Sequence, residues 1–166
     1  MRLLRRLGAE ALIHCGDVGG ADVLEQIAGG RTWVVCGNTD CPDDELVRYA
    51  ESLGLAVTHT GPLRLELDGR ALAVFHGHEG RFARLIGETL KRGVVPAGFG
   101  HCDYVLHGHT HVARDEHIGP LRIINPGALH RAAVHTVATL DLRAGRVKFW
   151  RVFDEADDAA PVAYQP

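Results

Sequence analysis

The stretch Tyr104-Val105-Leu106-His107-Gly108-His109-Thr110-His111 decides how this chain folds. A short apolar run reads as a buried strand, and it opens into a glycine-bearing turn that carries His109 and His111 two positions apart. On an extended backbone leaving the strand, that spacing lets two imidazoles address neighbouring metal ions, with Gly108 and Thr110 leaving the turn uncrowded. One histidine pair is weak evidence. The same arrangement recurs: Gly16-Asp17 follows the apolar run Ala11–Cys15, Gly37-Asn38 follows Thr32–Cys36, and His76-Gly77-His78 follows Ala71–Phe75. Four apolar strands that each end in metal-capable side chains are hard to obtain by accident.

Each of these residues also has an ordinary use. An Asp or Asn after a glycine commonly closes a turn. A histidine ending an apolar strand is commonly a hydrogen-bonded core residue, and His78 and His107 keep that assignment. Taken jointly, Asp17, Asn38, His76, His109 and His111 combine carboxylate, amide and imidazole. That mixture suits borderline divalent ions (Mn²⁺, Fe²⁺, Co²⁺, Ni²⁺ or Zn²⁺) and differs from a thiolate site.

Composition narrows the classes. The chain has 166 residues, enough for one domain with a real core, and its 46% apolar and 23% charged residues are ordinary for a globular protein. A formal charge of −3 with scattered Lys and Arg offers no nucleic-acid surface. Cys15, Cys36, Cys41 and Cys102 have no CxxC spacing and read as reduced, buried thiols. No apolar run approaches the ~18 residues of a membrane span, and no signal peptide precedes the first motif, so a cytoplasmic protein is expected.

Along the chain, Met1–Leu7 reads as the end of an amphipathic helix stopped by Gly8. Asp22–Ala28 is a second helix, and Pro42 opens a third that runs to about Ser52, acidic at its start as the helix dipole favours. Strand, loop and helix alternate here, which argues for parallel strands with crossover helices. The rhythm then changes. Leu63–Leu67 and Ala71–Phe75 form a hairpin about Asp68-Gly69, Phe82–Arg92 is helical, and Tyr104–His107, Val112–Ile118 and Leu121–Ile124 are strands. A last hairpin joins Val134–Leu142 to Val147–Phe153. Two packed mixed sheets with helices outside satisfy this pattern. The expected layout is one domain over residues 1–153 and a mobile tail over 154–166, where apolar groups are few.

The ordered motifs Gly16-Asp17, Gly37-Asn38-Thr39-Asp40, His76-Gly77-His78 and Gly108-His109-Thr110-His111 resemble those of the calcineurin-like metallophosphoesterases. The resemblance is nearest to the small YfcE-type phosphodiesterases, whose following Asn-Pro-Gly is present as Asn125-Pro126-Gly127, and it spans about residues 1 to 152. It implies a four-layer αββα sandwich and hydrolysis of small phosphate esters by water activated at two metals, Mn²⁺ foremost. It assigns Asp17 to bridge both metals, Asn38, His76 and His109 to one metal, and His111 to the other. Asp17, Asn38 and His76 become the catalytic candidates.

The departure lies at the front. The resembling family opens with a strand ending in Asp-x-His, and this chain starts with what resembles the helix after that strand. One metal set is therefore expected to be complete, the second to keep only Asp17 and His111, and the strand Ala11–Cys15 to lack a neighbour. An upstream start that restores the strand is the expectation, because losing a central strand is costly. A truly shortened protein is the alternative. Relatives also carry a leaving-group-protonating His where Thr39 stands, which implies phosphodiesters or activated esters over simple monoesters. Asp40 or the backbone near Thr39 could orient ligands, and His78 could touch the substrate phosphate. The competing class is a catalytically impaired protein of this fold, with a mononuclear site or a scaffolding role, since the resemblance includes a retromer scaffold subunit. Self-association is compatible with the sequence.

Overall fold

The computed structural model describes residues 2–40, 44–153 and 160–166. Its first half alternates as expected: α1 (Arg2–Arg6), β1 (Ala11–His14), α2 (Ala21–Ile27), β2 (Arg31–Val35), α3 (Asp44–Ser52) and β3 (Ala56–Thr58). These strands form a parallel sheet in the order β1-β2-β3. The start of the third helix at Pro42, and Cys41, lie outside the described residues. Arg5 reaches from α1 to the carbonyl of Ala28 at 2.8 Å, which satisfies an acceptor left over at the C-terminal end of α2.

The second half supplies β4 (Leu63–Leu67), β5 (Arg70–Val74), α4 (Gly80–Arg92), β6 (Tyr104–Leu106), β7 (Arg114–Ile118) and β8 (Leu121–Asn125). They make a five-stranded mixed sheet in the order β4-β5-β6-β8-β7, with β5, β6 and β8 parallel. The β4–β5 hairpin turns at Asp68 and Gly69, both with positive φ, as a tight two-residue turn requires. β9 (Thr136–Asp141) and β10 (Arg146–Arg151) pair antiparallel, and β11 (Val162–Tyr164) extends them into a third sheet.

The mixed α/β architecture is as expected, with the strands divided among three hydrogen-bonded sheets. The tail contributes a strand: Phe149, Trp150 and Arg151 of β10 pair with Tyr164, Ala163 and Val162. Tyr164 also packs on the core, so the open edge of a hairpin gains a partner from a segment poor in apolar residues. Residues 154–159 of that tail lie outside the described residues.

Side-chain alternation along the central strands builds two cores at once. Ala73, Val105 and Ile123 face a cluster with Leu85 of α4 and Phe99, whereas Leu72, Tyr104 and Ile124 face a cluster with Phe149 of β10. A third cluster seats Leu24, Ile27 and Ala50 of the helices against Val34. β1 serves two of these: Leu12 packs with the helical cluster and Ile13 with the inter-sheet one. It is the outermost strand of its sheet, and none of its four residues is fully buried. Among the described residues, no helix is long and apolar enough to cross a membrane.

Candidate metal centre

The four motif turns all follow the C-terminal ends of parallel strands: β1 and β2 from one sheet, β5 and β6 from the other. In open α/β sheets that edge is where ligands bind. Close approach dictates the glycines. A Cβ on Gly37 would lie 2.2 Å from Asp17 Oδ1, and one on Gly16 would lie 2.5 Å from His76 Nδ1.

The ligand candidates converge on one ring. His76 is 1% exposed, and its Nδ1 donates to the carbonyl of Cys15 at 2.7 Å. A carbonyl can only accept, so the proton sits on Nδ1 and the Nε2 lone pair points away. Around Nε2 lie Asn38 Oδ1 at 3.0 Å, His109 Nδ1 at 3.2 Å and Asp17 Oδ2 at 3.4 Å. With its proton on Nδ1, His76 turns an Nε2 lone pair toward the Asn38 and Asp17 oxygens, a crowding that either a proton on Nε2 or a cation among them relieves. In type, a set of imidazole, amide and carboxylate suits a borderline divalent ion. Among the described residues no group of three or more His, Cys, Asp or Glu already stands at metal spacing, so Asp17, His76 and His109 would have to draw closer, with Asn38, to hold an ion.

Asp17 is tuned by Thr39. Burial pushes its carboxyl up, but bonds from the Thr39 hydroxyl (2.8 Å) and amide (3.1 Å), with His76 and His109 nearby, outweigh this and hold it below the usual carboxylate range. Asp40 plays another part than direct orientation of ligands. Only 3% exposed, it accepts the amides of Gly37 and Val18, each at 2.8 Å, and so ties the turn after β2 to the turn after β1. Cys15 stands beside the site as an inert thiol, pushed up to about 12 by burial and by the charge of Glu79. Cys15 and Cys102 are free thiols.

The Gly108–His111 turn is not extended. Thr110 N–H donates to Gly108 O at 2.8 Å, with His109 at φ 65° and His111 at φ 57°. This tight left-handed path separates the two rings. His109 joins His76, while His111 Nδ1 donates to the carbonyl of Arg131 at 3.2 Å. The structure thus brings Asp17, Asn38, His76 and His109 together and leaves His111 apart. Asn125, fully buried, donates to Gly108 O at 2.8 Å and to Thr110 Oγ1 at 3.0 Å, and so staples the same turn. Asp17, His109, His111 and Arg131 are four of the five non-glycine residues with positive φ among the described ones. Each costs roughly 1–3 kcal/mol where the side chain is not glycine, and such strain gathers at functional sites.

His78 lies beside the set, its ring 5.3 Å from His76 and 6.1 Å from His109. His107 is a core residue: it packs against Phe82 at 4.8 Å, its Nδ1 donates to Gly108 O, and burial lowers its pKa to about 4. Sequence inspection missed Glu79, whose carboxylate accepts the amides of His76 and Gly77. A Glu three residues after a ligand turn was the available signal.

Known proteins share this fold. A probable metallophosphoesterase of Mycoplasma pneumoniae is 27% identical over 143 residues, which cover 83% of this chain and 77% of that relative. An archaeal phosphodiesterase superposes with a TM-score of 0.73 at 20% identity, covering 90% of this chain and 87% of its own. YfcE, a phosphoesterase from E. coli, superposes with a TM-score of 0.61 at 20% identity over 97% of this chain and 87% of its own. The model of the calcineurin-like phosphoesterase superfamily domain matches residues 1–145, the span that holds all four strand-end turns, and the chain belongs to that superfamily.

Proposed function

We propose that this protein is a metal-dependent phosphoesterase that hydrolyses small phosphodiesters with metal-activated water. The observation that carries this is the gathering of Asn38 Oδ1, His109 Nδ1 and Asp17 Oδ2 within 3.0–3.4 Å of His76 Nε2. These four side chains would hold a divalent cation, with Mn²⁺ the first choice for an oxygen–nitrogen set that lacks thiolate. A cation bound there supplies Lewis acidity: it lowers the pKa of water and offsets charge developing on the phosphoryl group.

The residues of the chain do the rest. Thr39 keeps Asp17 ionised to lower pH than an ordinary carboxyl. His76 keeps one tautomer because Cys15 holds its proton. His111 commits Nδ1 to the carbonyl of Arg131, so only its Nε2 would be available to a second cation. The Thr39 hydroxyl is already a donor to Asp17, so it does not protonate a departing alkoxide. Esters whose leaving groups need no proton are therefore the favoured substrates. A cytoplasmic setting fits the free thiols.

The test is Mn²⁺-stimulated hydrolysis of bis(p-nitrophenyl) phosphate by the chain, alongside Asp17→Ala and Asn38→Ala. Turnover should fall by roughly 10²- to 10³-fold in each, the range for removing a preorganised charge-stabilising group. A folded chain that binds none of Mn²⁺, Co²⁺, Ni²⁺ and Zn²⁺ would replace this proposal with a scaffolding role for the same fold.

A further inference from the structure

Glu79 is 7% exposed, which makes it one of the most buried charged groups among the described residues. A carboxylate that deep is costly unless its oxygens are satisfied. Both are: Oε1 accepts the amide of His76 at 2.8 Å, and Oε2 accepts the amide of Gly77 at 2.6 Å. Its place in the chain offers a simpler use that it does not take. Glu79 is the N-cap of α4, where a Ser, Thr, Asp or Asn side chain would bond forward to the helix, yet Glu79 makes no side-chain cap bond. The side chain turns back to the strand-end turn instead.

The surroundings are shaped for that carboxylate. A Cβ on Gly61 would stand 2.7 Å from Glu79 Oε1, so the glycine leaves the space the oxygen fills. The nearest basic group with an ion-pair distance is His78, with Nδ1 3.9 Å from Oε2. The charge is felt at Cys15, the residue whose carbonyl holds the His76 ring. Glu79 thus grips the backbone of His76, and Cys15 grips its imidazole.

We propose that Glu79 is a positioning residue of the metal centre: its carboxylate fixes the His76–Gly77 turn that aims His76 Nε2, and it adds negative charge beside that turn. This rests on the metal-dependent function proposed above. A carboxylate accepting two backbone amides is a rigid anchor, and disturbing such outer partners of a ligand typically weakens metal binding about 10- to 100-fold.

The experiment compares the wild-type chain with Glu79→Gln, Glu79→Asp and Gly61→Ala. Glutamine can accept one amide but presents an NH₂ group to the other. The alanine leaves residue 79 intact and crowds Oε1. Mn²⁺ affinity by calorimetry should fall about tenfold or more in Glu79→Gln and Gly61→Ala, and Glu79→Asp, which keeps the charge, should recover part of it. ¹⁵N NMR of the metal-free proteins gives the second readout: a protected His76 Nδ1–H in wild type, and a mixture of tautomers in Glu79→Gln. A folded Glu79→Gln with unchanged tautomer and Mn²⁺ affinity within about twofold of wild type would overturn the proposal. If the wild type binds no metal, the proposed function fails, and the His76 proton signal still decides whether Glu79 positions the ring.

Discussion

His76 Nδ1 and the carbonyl oxygen of Cys15 lie 2.7 Å apart although 61 positions separate the two residues in the chain. That bond crosses from the five-stranded sheet to the parallel one and sets which ring nitrogen faces Asn38 and Asp17. The tautomer of the central ligand is thus decided by tertiary structure. His76→Ala should weaken Mn²⁺ binding by at least the ~10- to 100-fold that loss of ligand orientation alone costs, as read by calorimetry. Affinity within a factor of two of wild type would remove His76 from the centre.

Thr39→Val deletes the hydroxyl bond to Asp17 and keeps the amide bond. The Asp17 carboxyl, held down in the wild type, should move up towards its ordinary value. A depressed carboxyl keeps its charge to lower pH, so the acid limb of Mn²⁺ binding should shift towards neutral in the variant. An unshifted limb in pH-dependent titrations would show that the hydroxyl does not tune Asp17.

Gly37→Ala places a methyl where Asp17 Oδ1 and the Asp17 amide already stand, at 2.2 and 2.3 Å. Either the turn after β1 or the turn after β2 must shift. A loss of about 1–3 kcal/mol in urea unfolding is expected, with metal affinity falling in parallel. Wild-type stability in this variant would contradict the close approach of the two turns.

His107 links the fold to pH. It is 1% exposed, its Nε2 is buried without a partner among the described residues, and burial takes its pKa from 6.5 to about 4. Between those values the unfolded chain binds a proton that the folded chain refuses. Its contribution is full above pH 6.5 and drains away as pH falls towards 4, on the order of 3 kcal/mol in total. His107→Gln should flatten urea-derived stability between pH 7 and 5 by up to about 1.4 kcal/mol per pH unit. Parallel curves for the two proteins would assign the acid sensitivity elsewhere.

The strands and ligand turns were legible because each signal is local: an apolar run, a glycine, then a polar side chain. Ala56–Thr58 gave no such signal. Three residues are too few to show a period, and their pairing with Trp33–Val35 is decided by β2. Val162–Tyr164 escaped for a related reason, since a segment of Ala, Pro and acidic residues acquires a strand only from the open edge of β10. The directions of His109 and His111 were illegible too. They depend on two left-handed backbones that no histidine advertises, stapled by Asn125 from β8. Asp40 and Glu79 look like surface acids in one dimension, and only the folded chain buries them against backbone amides.

Ligand turns drawn from two different sheets make the centre a gauge of how those sheets are seated. Asp17 and Asn38 belong to turns of one slab, His76 and His109 to turns of the other, so a slip between the slabs would open the cluster without changing any ligand. Ile13 sits at that seam, on β1 and against the inter-sheet core. Ile13→Val should cost only about 1 kcal/mol of stability, yet it should lower metal affinity measurably from a distance. A bound cation would in turn act as a rivet through both slabs, so metal loading should raise resistance to unfolding for the whole domain and not for one loop.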